Sequence, residues 1–160
     1  MRKALGRWVY GCDVCQDVCP YNQRPPAALW EEFSADKGVG HYLSLLSMFD
    51  LKTDEEFRAR FEKSPVRRPK LRGLTRNALV VIGNILRDSS AGHGETEEAC
   101  HSAIERVFAF IDGKPEDMLL EHAYWALAQY DSSEVQKRLL NKLDANVSSE
   151  VKELASLYLN

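Results

Sequence analysis

The chain has 160 residues, 44% of them hydrophobic and 28% charged, with a formal net charge of -3. That length suits one compact domain with at most a short appendage, the apolar fraction is enough for a core, and the net charge excludes a globally basic nucleic-acid binder. No stretch approaches the ~20 apolar residues of a membrane-spanning helix, and the basic start "MRKALGRWVYG" lacks the apolar run of a signal peptide.

The first predicted element is a cysteine segment, residues 1–26. "YGCDVCQDVCPYN" sets Cys12, Cys15 and Cys19 in the spacing C-x2-C-x3-C-P. Disulfides between such close neighbours would close tiny loops, so thiols acting as ligands in a reducing, cytoplasmic setting are expected. Thiolates are soft ligands that suit iron–sulfur clusters and zinc. The spacing is the back end of the bacterial ferredoxin run C-x2-C-x2-C-x3-C-P, whose front cysteine is replaced here by Val9. In two-cluster proteins the cysteine before the proline serves the other cluster. That rule assigns Cys12 and Cys15 to one 4Fe–4S cluster and Cys19 to a second, each short of ligands. Zinc held by the three cysteines and His41 is an alternative, and thiols without metal are another. Cys100, between Ala99 and His101 in a helical pattern, is expected to be a buried structural residue.

Residues 27–73 are expected to hold linker helices and a basic loop. Pro25 and Pro26 stop regular structure; "AALWEEFSADKGVG" reads as a loop with one helical turn, and "HYLSLLSMFD" as a short helix. "KTDEEFRARFEK" opens with a capping box, Thr53 with Glu56 three residues on, and places Phe57 and Phe61 on one face. "SPVRRPKLRG" is expected to be an ordered loop stiffened by Pro65 and Pro69. From Arg58 to Arg76 there are eight Lys or Arg side chains against Glu62 alone, a local net of +7. Such asymmetry points to an anionic partner at one place.

From Leu74 to the end the chain reads as helices. "RNALVVIGN", "EHAYWALAQ" and "ELASLYL" repeat a small residue followed four positions later by an apolar one: Ala78 with Ile82, Ala123 with Leu127, Ala155 with Leu159. Small residues at such positions let neighbouring helices approach closely, as in stacked HEAT-like pairs. Serines before the last two helices are expected N-caps. Tyr124 and Trp125 read as core, and Asn84 and His122 as buried polar groups with backbone partners. The expected fold class is therefore all-α: a short HEAT-like repeat domain (74–160) preceded by an irregular ferredoxin-like cysteine segment.

"RWVYGCDVCQDVCPYN" resembles the second ferredoxin-like motif of epoxyqueuosine reductases. "FRARFEKSPVRRPKLRGLTRNALVVIGN" is similar to the segment that follows it in that family, and "LLEHAYWALAQY" to the family's C-terminal HEAT-like repeat. The resemblance implies reduction of epoxyqueuosine to queuosine in the anticodon loop of tRNA, with cobalamin and two 4Fe–4S clusters as cofactors. The chain departs from that pattern by lacking a cobalamin-binding domain, the first cysteine run and an upstream cysteine standing in for position 9. The resemblance thus implies a C-terminal, iron–sulfur and tRNA-binding portion that is not catalytic alone and binds no cobalamin itself, with a missing N-terminal half as partner. On this reading Cys12, Cys15 and Cys19 are metal ligands, and the tRNA anticodon region is met by Arg67, Arg68, Lys70, Arg72, Arg76 and Asn77. Arg76 and Asn77 are expected near a helix N-terminus, where the dipole favours phosphate. The competing reading is a helical-repeat interaction module whose cysteines are vestigial or hold zinc, with the basic loop paired to Asp54, Glu55 and Glu56.

Overall fold

The computed structural model describes residues 1–24, 30–31, 34, 37, 39–40, 42–143 and 147–159. Pro25, Pro26, His41 and most of "AALWEEFSADKGVG" lie outside them, and with them the linker reading and the zinc alternative's fourth ligand. Among the described residues all regular structure is helical: α1 (Val14–Asp17), α2 (Asp54–Arg60), α3 (Lys70–Ser90), α4 (Glu97–Asp112), α5 (Asp117–Ala128), α6 (Ser133–Leu143) and α7 (Ser149–Tyr158). Short 3-10 turns cover Arg2–Leu5, Pro20–Asn22, Leu45–Asp50 and Pro65–Arg67.

The local signals act where they stand. Thr53 Oγ1 accepts from Glu56 N at 3.1 Å while the Glu56 carboxylate accepts from Thr53 N, completing the capping box of α2. Ser132 and Ser148 accept from the backbone of Val135 and Val151, each at 3.4 Å, and so cap α6 and α7. One expectation fails: the basic stretch is a loop only as far as Pro69, and α3 begins at Lys70 rather than near Leu74. Pro69 stands at the N-cap of α3, where a missing N–H costs no intrahelical bond, so the helix starts directly after the proline where a stiff loop was expected.

The helix α5 lies at the centre, packed most heavily on α3 and α7 and touching α4 and α6 as well. One continuous core runs through these helices, with Leu79, Phe108, Tyr124, Leu139 and Val151 among its members. The repeat residues Ala78, Ala123 and Ala155 are all fully buried. Gly83 explains how closely α3 and α5 approach: a Cβ there would sit 2.6 Å from the Trp125 ring and 2.9 Å from Ala126 Cα. A second, smaller core of Met48, Phe57, Phe61, Leu74 and Ala78 seats α2 and the 45–50 turn on the start of α3. Each of the four large side chains, Met48, Phe57, Phe61 and Leu74, contributes about 1.5–3 kcal/mol by leaving water.

Candidate metal centre and basic face

The cysteine segment is held to the helices mainly by polar contacts, with Val9 packed half-buried against the smaller core. Asn77 and Asn84 stand seven positions apart on α3, two turns along one face. Asn84 Nδ2 donates to Gly6 O at 2.7 Å and to Arg2 O at 3.2 Å. Asn77 Nδ2 donates to Val9 O at 2.8 Å. Asn84 is buried, so the expectation of a satisfied polar group with backbone partners holds.

Arg2 adds a second attachment. Its Nη2 donates to Glu121 Oε1 at 2.7 Å and Oε2 at 2.5 Å, and its Nη1 to Tyr158 OH at 2.9 Å. The guanidinium lies over the Trp125 ring at 5.3 Å and the Tyr158 ring at 5.6 Å, a favourable cation–π placement. The Tyr158 hydroxyl in turn donates to Glu121, and His122 Nδ1 lies 2.8 Å from both Glu121 Oε2 and Met118 O. Burial alone would raise the Glu121 carboxyl; hydrogen bonds from His122, Arg2 and Tyr158 outweigh it and bring the pKa down to about 2. Sequence reading singled out neither Arg2 nor Glu121. The available signal was a carboxylate flanked by Leu119, Leu120 and Ala123 in a core-facing helix, a position that demands a charged partner.

Beyond Val9 the chain turns through Gly11 and Asp13, both with left-handed backbone at φ 68° and 27° on either side of Cys12. α1 carries Cys15, and the side chain of Asn22 donates to Gln16 O at 3.1 Å and Gln16 Oε1 at 2.7 Å, closing the loop around Cys19. Cys12 and Cys15 are exposed, Cys19 is half-buried, and none forms a disulfide. Among the described residues no three Cys, His, Asp or Glu side chains converge on one point. Exposed, unpaired soft donors fit an iron–sulfur cluster as part of a larger ligand set. Cys100 is buried, with its Sγ 4.0 Å from Glu95 O, and is structural as expected.

The basic stretch splits into free and engaged charges. Arg67 and Arg68 line a shallow cleft of about 540 Å³ with Lys63, Ser64 and Pro65. Lys63 and Lys70, which bracket this turn, both have left-handed backbone, at φ 62° and 60°. Non-glycine residues rarely hold that conformation, which costs of order 1 kcal/mol or more and collects at functional loops. Arg67, Arg68 and Lys70 are exposed and form no ion pair among the described residues. Arg72 pairs with Glu116. Arg76 donates from Nε and Nη2 to Asn77 Oδ1 at 3.2 and 3.0 Å. Arg76 and Asn77 stand two turns inside α3, so the helix-terminus placement expected for them is corrected: the earlier start at Lys70 moves them away from the dipole's positive end. Of the three acids expected to neutralise the loop, Glu55 forms an ion pair with Arg58 at 3.9 Å, and Asp54 and Glu56 form none among the described residues.

No protein-family model matches the chain. It is 35% identical over 127 residues to an epoxyqueuosine reductase of Burkholderia pseudomallei, covering 79% of this chain and 30% of that protein. The epoxyqueuosine reductase of Escherichia coli is 33% identical over 130 residues, 81% of this chain and 30% of the relative; that of Leadbetterella byssophila is 42% identical over 77 residues, 48% and 24%. A solved structure of epoxyqueuosine reductase from Bacillus subtilis superposes on 99% of this chain and 38% of its own, with a TM-score of 0.76 at 21% identity. The chain thus spans about a third of the length of the relatives it matches. In sequence and in fold together, it is a relative of the epoxyqueuosine reductases and corresponds to about a third of their polypeptide.

Proposed function

We propose that the chain is the iron–sulfur and tRNA-binding portion of an epoxyqueuosine reductase, acting with the remaining polypeptide to reduce epoxyqueuosine to queuosine in tRNA. The observation that carries this reading is the attachment of the thiol segment, through Asn77, to the helix whose first residue, Lys70, extends the basic face. Cys12 and Cys15 would hold one 4Fe–4S cluster and Cys19 a second, each completed by thiols from outside this chain. When bound, such clusters supply electron transfer. Arg67, Arg68 and Lys70 meet the tRNA backbone, because phosphate binding needs cations that are exposed and not already paired. Arg72, Arg76 and Asn77, further along α3, are engaged within the protein, so their share in RNA contact is smaller. No residue of this chain acts as acid or base in the reaction. Cobalamin belongs to the remaining polypeptide, and the setting is cytoplasmic.

The basic face is tested by titrating the chain with a tRNA bearing a GUN anticodon at two salt concentrations. Replacing Arg67 and Arg68 together by Ala is expected to weaken binding and to lower the salt slope by about 2. Unchanged affinity would remove the RNA half of the reading. Iron and sulfide analysis after anaerobic co-expression with the rest of a relative tests the cluster half.

A further inference from the structure

A cleft of about 380 Å³ opens where the end of α4, the start of α5 and the end of α6 meet, with Val147 ahead of α7. Its lining takes no residue from the cysteine segment or from the basic stretch. The volume falls in the range of small-molecule sites, which combine an apolar lining with a few placed polar groups. The apolar lining here is Ile111, Leu120 and the ring of Tyr124, all buried, with half-buried Val147. The Tyr124 hydroxyl is the anomaly. The residue is 1% exposed, and its oxygen has no hydrogen-bond partner among the described residues. Folded proteins pair nearly all such groups, because a polar atom that has lost water and gained no partner is destabilising. Burial and the Asp112 carboxylate push its pKa up to about 12, so at neutral pH it is an O–H donor. Asp112 stands on the rim of the same cleft, which sets the hydroxyl end of the ring on the cleft side.

The rim is charged but balanced. Asp112 is paired with Lys142. Lys114 and Asp117 are exposed and form no ion pair among the described residues. The charges of Asp112, Lys114, Asp117 and Lys142 cancel, so this rim does not gather phosphate as the turn at Arg67 and Arg68 does. One free cation and one free anion beside an apolar hollow suit a molecule that carries both charges at one end. We propose that this cleft binds a small zwitterion of the amino-acid class, with an apolar body and an oxygen acceptor at its buried end. Lys114 and Asp117 meet its charged head, and the Tyr124 hydroxyl donates to its tip. The site is independent of the thiols and of the RNA-binding charges.

The test titrates the 160-residue chain with L-tyrosine, whose head carries both charges and whose phenol oxygen is the acceptor, read by saturation-transfer NMR and calorimetry. L-Phenylalanine, without that oxygen, is expected to bind about tenfold more weakly, and O-methyl-L-tyrosine, which can only accept, to bind like L-tyrosine. Tyramine and 3-(4-hydroxyphenyl)propionate, each lacking one charge, are expected to bind about twofold to fivefold more weakly. Tyr124→Phe removes a hydroxyl without a partner, so the free chain should melt no lower than before, while the preference for L-tyrosine over L-phenylalanine disappears. Asparagine tolerates the left-handed backbone that Lys114 holds at φ 51°. Lys114→Asn is therefore expected to keep the fold, to weaken L-tyrosine and to leave tyramine unchanged. No binding of any of these probes at about 10 mM overturns the proposal. So does equal binding of L-tyrosine and L-phenylalanine to the unaltered chain. A Tyr124→Phe chain that melts lower or fails to fold overturns it too, since the hydroxyl would then have its partner within the protein.

Discussion

The helices from α3 to α7 and the first 24 residues are built on opposite plans. The helices bury their apolar side chains against one another; residues 1–24 bury none fully, pack Val9 half-buried on the smaller core and show Leu5, Trp8, Tyr10, Val14, Val18 and Tyr21 to solvent. The first region is stabilised by its own core, the second chiefly by a few hydrogen bonds and one ion-pair knot to α3, α5 and α7, with Val9 as its apolar contact. A segment without a core of its own takes its position from the helices it is clasped to.

The largest effect that would sharpen the contrast is a core deletion. Leu79→Ala removes a fully buried side chain and is expected to cost about 2–5 kcal/mol in urea unfolding. Val18→Ala, in the other region, should change stability by less than about 0.5 kcal/mol; a comparable loss there would break the comparison. Next comes the Glu121 knot. A carboxyl held at about 2, against an ordinary 4.5, stabilises the fold above pH 4.5, and that contribution drains as pH falls from 4.5 toward 2. The shift corresponds to about 3 kcal/mol. Glu121→Gln should flatten this limb of the stability–pH profile, and an unchanged acid limb would show that Arg2 and Tyr158 do not hold the carboxylate in solution.

A smaller effect is expected from Asn84→Ala, which leaves the carbonyls of Arg2 and Gly6 without their donor. The loss should be about 1–3 kcal/mol, and hydrogen exchange should quicken over residues 2–9 while α5 stays protected. Uniform quickening across the molecule would mean the two regions unfold as one. The smallest stability effect belongs to Arg67→Ala and Arg68→Ala. Both are exposed and form no ion pair among the described residues, so the melting temperature should barely move even as RNA affinity falls.

Much of this was legible in advance, and the boundary is instructive. The capping box at Thr53, the serine caps of α6 and α7, the buried Ala78, Ala123 and Ala155, and the buried Cys100 were all readable, because each depends on residues within a turn or two or on a repeating period. The start of α3 was misjudged because Pro69 and Gly73 look like loop punctuation, yet a proline at the N-cap costs the helix no intrahelical bond. Asn77 was read as a group for the RNA, while its amide is given to Val9, 68 positions away. Arg2 went unnoticed because its partners Glu121 and Tyr158 are 119 and 156 positions distant.

By itself the sequence determined the all-helical class, the caps, the apolar period of the helices and the presence of three closely spaced thiols ahead of a basic stretch, since periodicity, capping and composition are properties of neighbours. Only the tertiary structure decided which basic charges are free, what holds the cysteine segment, and that its apolar side chains remain uncovered. Those depend on pairings between residues far apart in the chain, and a buried carboxylate or an exposed tryptophan acquires its meaning only from what folding sets beside it.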